Sequence, residues 1–137
     1  MVIVDTSVWS LALRRRRPAK FDADPVASEL ARLIDLGDAA IAGPIRQELL
    51  SGVTTPAQFE TLRERLGAFP DIPITTVDYE RAAMCFNQCR ARGIQGSNTD
   101  YVICALAWRL NLPVFSVDHD FGRYARVLDV RLHSVAA

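Results

Sequence analysis

The sequence is poor in the residues that build soft metal sites and covalent staples. Only three cysteines (Cys85, Cys89, Cys104) and two histidines (His119, His133) occur among 137 residues. The odd count and the missing Cys-x-x-Cys argue against a disulfide framework, and a zinc site lacks ligands. Cys85 and Cys89 stand one helical turn apart and read as small core residues. Net charge is lacking too: 16 Lys and Arg balance 16 Asp and Glu. Global charge therefore supplies no attraction for nucleic acid, and any grip on phosphate must be local. A chain of zero net charge also points to a partner or self-association as its route to solubility. Long apolar runs are absent. No stretch reaches membrane-spanning length, and no basic region precedes an apolar core at the start, so the expected setting is the cytoplasm.

What is present fits a globular protein: half of the residues are hydrophobic and 23% are charged. Residues 1–137 are long enough for one domain with a real core, and no repeat, low-complexity tract or linker divides them.

The chain opens on Val2-Ile3-Val4, β-branched and apolar without polar alternation, as suits a strand buried on both faces of a parallel sheet. It stops at Asp5, and Thr6 to Leu13 reads as a helix. Arg14, Arg15, Arg16 and Arg17 then run into Pro18, marking an exposed helix end or loop. That run suits either a helix C-terminus or a patch that grips phosphate or an acidic partner. Asp24-Pro25 caps the next helix, which carries Val26, Leu30, Leu33 and Ile34 and ends at Gly37. Ala39 to Ala42 is a strand, Gly43-Pro44 a turn, and Ile45 to Leu50 a helix bearing Glu48. Thr55-Pro56 starts a helix with Phe59, Leu62, Leu66 and Phe69 inward. Ile74 to Val77 is a strand candidate. Asp78 caps a helix to Arg92, with Ala82, Ala83, Phe86 and Cys89 inward, and Gly93 stops it. Thr99-Asp100 opens a helix that is apolar nearly all round from Tyr101 to Trp108, and Asn111 and Pro113 end it. Val114 to Val117 is a strand ending at Asp118-His119-Asp120. A short helix from Phe121 and a strand from Val130 to His133 finish the chain. Alternating strands and helices predict an α/β protein: a three-layer α/β/α sandwich around a central parallel sheet.

Such sheets bind ligands at the carboxyl ends of their strands. Asp5 and Asp118 end strands. Ser116 lies two residues before Asp118, on its face. Glu48 follows the second strand, and Asp100 stands in the first turn of the buried helix. Taken singly, Asp5 and Asp100 read as helix caps and Glu48 as a solvated helix position. Taken together they converge on one edge, where carboxylates repel unless a cation joins them. An all-oxygen set without Cys or His suits Mg²⁺ or Mn²⁺, and a metal-bound water is a stronger nucleophile than bulk water. Phosphodiester hydrolysis is the implied chemistry, with one or two ions.

Four segments resemble a PIN domain, and more narrowly the VapC-type toxins of bacterial toxin–antitoxin pairs. They are Val-Asp-Thr-Ser-Val-Trp at 4–9, Arg-Gln-Glu-Leu-Leu-Ser-Gly at 46–52, Asn-Thr-Asp-Tyr-Val-Ile-Cys-Ala-Leu-Ala at 98–107 and Phe-Ser-Val-Asp-His-Asp-Phe at 115–121. The resemblance runs over essentially the whole chain. It implies a Mg²⁺-dependent endoribonuclease with an acidic quartet at Asp5, Glu48, Asp100 and Asp118. Asp120 matches a further acid, and Thr6 and Ser116 match hydroxyls that brace the quartet. It also implies a homodimer, a cognate antitoxin that blocks the cleft, and binding of promoter DNA only through that antitoxin. Structured RNA is the implied substrate, and Arg14 to Arg17 would touch either RNA or antitoxin. Two other readings stand beside it: a housekeeping PIN-type RNA-processing nuclease, and a non-catalytic module whose acids hold a structural cation or a basic peptide. An aspartyl phosphatase needs a second Asp two residues after the first, where this chain has Ser7.

Overall fold

Val2, Ile3 and Val4 form β1 (Val2–Val4), and all three side chains are buried. The computed structural model that contains it describes residues 1–13 and 24–135. Arg14 to Arg17 lie outside the described residues.

From β1 the chain passes through α1 (Thr6–Leu13), α2 (Pro25–Asp35), β2 (Ala39–Ala42), α3 (Gly43–Leu50), α4 (Pro56–Leu66) and β3 (Asp71–Ile72). It continues through α5 (Thr76–Ala91), α6 (Asn98–Leu110), β4 (Val114–Phe115) and α7 (His119–Tyr124). The strands form one sheet in the order β3-β2-β1-β4, all parallel. Helices cover both faces, giving the expected three-layer α/β/α sandwich. In register, Ile3 stands opposite Ala40 on one side and Val114 on the other. The chain thus moves outward from β1 to β3 and then returns to the opposite flank of β1. This reversal makes the β1/β4 boundary the topological switch point, where such sheets open a crevice.

Three expectations about strands need correction. The strand expected at Ile74 to Val77 is instead β3, two residues long at Asp71–Ile72. Pro73 has no N–H to extend the ladder. Thr75 then caps α5, its Oγ1 accepting from Asp78 N at 3.3 Å while Asp78 Oδ2 accepts from Thr75 N at 2.8 Å. That capping box draws Thr76 and Val77 into the helix despite their β-branched side chains, and it makes Thr75 rather than Asp78 the cap. The strand expected at Val114 to Val117 is only Val114–Phe115, because Asp118 caps α7, which starts at His119 rather than Phe121. The last strand expected at Val130 to His133 is a single parallel bridge, Leu132 to Val114. In β4, Pro113 O and Phe115 O face β1, so Val114 alone offers its N–H and C=O outward, to Arg131 and His133.

The helices hold closer to their patterns. Asp24 caps α2, accepting from Val26 N at 2.9 Å, with Pro25 at its first position. Gly43-Pro44 opens α3 rather than preceding it. Leu66 of α4 is buried, Leu62 and Phe69 are half-buried, and Phe59 is exposed. In α5 the inward residues are Ala82, Cys85 and Cys89, with Ala83 exposed. All residues from Tyr101 to Ala107 of α6 are buried, a central helix as expected, whereas Trp108 emerges with Arg81 stacked on its ring at 3.2 Å. Asn111 closes α6 in the left-handed region, a conformation its short amide tolerates. Buried polar groups are paired: Arg109 forks onto Asp78 at 2.6 and 2.9 Å, and Glu29 takes Arg32 at 2.6 Å and His133 from the C-terminal segment. Among the described residues no helix is long and apolar enough to cross a membrane.

Candidate metal centre

Asp5 stands where β1 gives way to α1 and is buried. Its carbonyl accepts the first turn of α1, from Val8 N at 3.1 Å and Trp9 N at 3.3 Å. Its side chain is held by three donors, all on Oδ2: Ser7 N at 3.3 Å, Ser7 Oγ at 2.8 Å and Ser116 Oγ at 2.9 Å. Each of these hydroxyls gives its one proton to Asp5 and accepts from backbone. Ser7 takes Val117 N at 3.1 Å, and Ser116 takes Asp118 N at 3.0 Å. The serine pair thereby ties the end of β1 to the chain leaving β4, across the switch point.

Asp118 and Asp120 come from the start of α7. Asp118 is its cap, accepting from Asp120 N at 2.9 Å, and Asp120 pairs with Arg123 one turn on. Asp100 lies in the first turn of α6, where its N–H donates to Ser97 Oγ at 3.1 Å and its Oδ2 accepts from Tyr124 O–H at 2.7 Å. One carboxylate oxygen each from Asp100, Asp118 and Asp120 lies within 4.8 Å of the others. Asp120, expected only as an accessory acid, is part of this group. Asp5 and Glu48 are outside that trio, and the charge of Asp5 acts on both Asp100 and Glu48. Glu48 on α3 is exposed and accepts from Thr6 Oγ1 at 3.3 Å. Partial desolvation and then the charge of Asp5 push its carboxyl above the ordinary range.

Asp100 is pushed up to about 6. Burial is the largest cause; the Tyr124 hydrogen bond pulls back, and the charges of Asp5 and Asp118 add to the rise. The crevice thus gathers acids faster than its hydrogen bonds can settle them. A set of carboxylate oxygens in such a field fits a hard divalent cation. Sequence reasoning missed three participants. Ser7 reads in the sequence as part of a helix start, although its hydroxyl, two residues on, reaches back to the Asp5 carboxylate. Ser97 carried a local signal, the Ser-x-x-Asp cap pattern with Asp100, whereas Tyr124 gave none, because its role depends on the approach of α7 to α6.

Comparison with known proteins identifies the family and the fold. The family model for the PIN domain matches residues 2–127. No curated protein matches. Among solved structures, the chain is similar to FitAcB from Neisseria gonorrhoeae at 23% identity, with a TM-score of 0.75 over 98% of this chain and 97% of that one. It is similar to VapBC2 from Rickettsia felis, solved bound to a promoter DNA fragment, at 15% identity and TM-score 0.73 over 97% and 98%. A toxin–antitoxin complex from Klebsiella pneumoniae shares 18% identity at TM-score 0.63 over 88% and 90%. At these identities the structural likeness is one of fold. The family match takes in every acid of the crevice, from Asp5 to Asp120, and this chain belongs to the PIN domain family.

Proposed function

We propose that this chain is a divalent-metal-dependent endoribonuclease and the toxin of a toxin–antitoxin pair. The observation that carries the reading is the crevice itself: Asp100, Asp118 and Asp120 grouped within 4.8 Å, with Asp5 close enough to raise Asp100 and Glu48. Asp5, Glu48, Asp100 and Asp118 are the quartet that holds Mg²⁺ or Mn²⁺, with Asp120 as an accessory ligand. When bound, the cation supplies a water of lowered pKa and offsets charge on the phosphate under attack. The chain's own residues prepare that work. Ser7 and Ser116 fix Asp5 through one oxygen, and Thr6 steadies Glu48. Burial of Asp100 supplies a carboxylate that gains by meeting a cation.

The fold is shared with VapBC2, solved with a promoter DNA fragment, and with a toxin–antitoxin complex, which supports an antitoxin as partner. A homodimer that touches promoter DNA only through that antitoxin completes the proposal. Glu48 lines an open groove of about 660 Å³ between α1, α3 and α4, a surface on which a partner would meet Glu48. The cytoplasm is the setting in which RNA substrate and antitoxin meet.

Metal-stripped protein, supplied with Mg²⁺ or Mn²⁺ and a panel of tRNA and ribosomal RNA, tests the reading. Cleavage should require the metal and fall at least 100-fold, on the order expected for loss of a transition-state charge contact, in Asp5→Asn with its circular dichroism unchanged. Parental cleavage by Asp5→Asn, or no cleavage of any RNA by the parent with either metal, refutes it. Growth arrest on expression without the antitoxin separates a toxin from a housekeeping nuclease.

A further inference from the structure

The geometry points to Tyr124 as a positioning residue that presets the Asp100 carboxylate for the cation, a role that rests on the function proposed above. Tyr124 is fully buried, and its hydroxyl donates to Asp100 Oδ2 at 2.7 Å. Its ring is wedged between Tyr101 and Phe121, at centroid distances of 5.1 and 5.3 Å. A phenylalanine would satisfy that packing. A buried hydroxyl costs free energy unless it is bonded, and here it is bonded to the one acid of the trio that α7 does not carry.

Two features show that the surroundings are shaped to this phenol. A Cβ on Gly96 would meet the hydroxyl and lie 2.7 Å from the adjoining ring carbons, so the loop that opens α6 has room only for glycine beside Tyr124. In addition, Tyr124 follows Asp120 by four residues on α7, the helix that presents both Asp118 and Asp120. Its hydrogen bond therefore latches the helix bearing two of the acids to the helix bearing the third. Rotation of the Asp100 carboxylate is restrained through one oxygen, and the spacing of the trio is fixed before any ion arrives. Loss of such an outer partner typically costs about 10–100-fold in metal affinity or activity.

Mn²⁺ titration of the full-length protein, followed by the paramagnetic resonance of free Mn²⁺, tests this without requiring cleavage. Tyr124→Phe should weaken Mn²⁺ binding about tenfold or more while leaving circular dichroism intact. Gly96→Ala, which pushes the ring away, should act in the same direction. In an Asp100→Asn background, Tyr124→Phe should change the affinity by less than about twofold, because the group it positions is gone. In RNA cleavage the loss should fall on kcat, with KM unchanged. Parental Mn²⁺ affinity in Tyr124→Phe, while Asp100→Asn is impaired, overturns the role of Tyr124 and leaves the nuclease reading standing. An equal loss in the presence and absence of the Asp100 carboxylate overturns it as well. Parental affinity in Asp100→Asn removes the metal site itself, and both proposals with it.

Discussion

In the metal-free protein, Asp100 is a carboxylate whose surroundings favour its neutral form, with a pKa of about 6 against an ordinary 3.8. The folded state therefore binds its proton more tightly than the unfolded chain does. Between about pH 4 and 6 the folded state holds more protons, so stability falls as pH rises through that window, and the full penalty is present above it. Roughly two units at about 1.4 kcal/mol each set a ceiling near 3 kcal/mol. Asp100 is only partly buried, and solvent screening reduces this to about 1–2 kcal/mol. Asp100→Asn removes the charge but keeps an oxygen that can accept from Tyr124. The variant should accordingly melt higher than the parent in EDTA at pH 7.5, by roughly 3–8 °C for a domain of this size. The gain should shrink toward zero near pH 4, where the parent is protonated too. Saturating Mn²⁺ should reverse the order, because it stabilises the state that binds it. Scanning calorimetry at several pH values reads all three. A variant less stable than the parent at pH 7.5, or a gain that ignores pH, refutes the electrostatic account.

Three other perturbations probe the scaffold. Arg109→Ala strands Asp78, which is 1% exposed and held low first by the Arg109 hydrogen bond. Urea denaturation should show a loss of about 2–4 kcal/mol at pH 7, and less as pH falls, since a lowered carboxyl contributes in full above its unfolded pKa and loses that contribution as pH falls toward its folded pKa; a loss below about 0.5 kcal/mol speaks against a buried ion pair. Glu29→Gln weakens the clasp of α2 on His133, where Arg32 and then His133 hold the Glu29 carboxyl down to about 2. A loss of about 1–3 kcal/mol is expected, with faster hydrogen exchange at the 131–133 segment; unchanged exchange means the segment is held otherwise. Ser7→Ala deletes a donor to Asp5 and the acceptor of Val117 N. It should cost about 1–2 kcal/mol in thermal melts and slow RNA cleavage, and parental behaviour in both would reduce the serine pair to surface decoration.

The elements that the sequence revealed are those whose cause is local. A continuous β-branched run ending in Asp5 is a buried strand because no other element needs that pattern. Asp24-Pro25 is a helix start wherever it stands. β3 lies at Asp71–Ile72 although Ile74 to Val77 has the composition of a strand, because pairing is decided by Pro73 and by what lies opposite, namely Ile41 and Ala42. The Thr75 and Asp78 capping box carried the better signal there. Ser116 reaches Asp5 across 111 positions, and Tyr124 reaches back 24 residues to Asp100; no local pattern announces either bond.

The acids themselves show why cap and ligand are poor alternatives. Asp118 caps α7, Asp5 closes the first turn of α1, and Asp100 lies in the first turn of α6. Each sits at a helix N-terminus, where backbone N–H groups and the helix dipole favour negative charge. The fold thus uses capping chemistry to carry anions into one crevice, and the same residues serve both ends. Capping settles an acid singly but not Asp100, which burial and its neighbours' charges act on together. Asp100 records the outcome: hydrogen bonds from Tyr124 and Ser97 are outweighed by burial and by the charges of Asp5 and Asp118. A group of carboxylates in that state is one that a divalent cation would relieve, which is the physical reason to look for metal chemistry at this edge of the sheet.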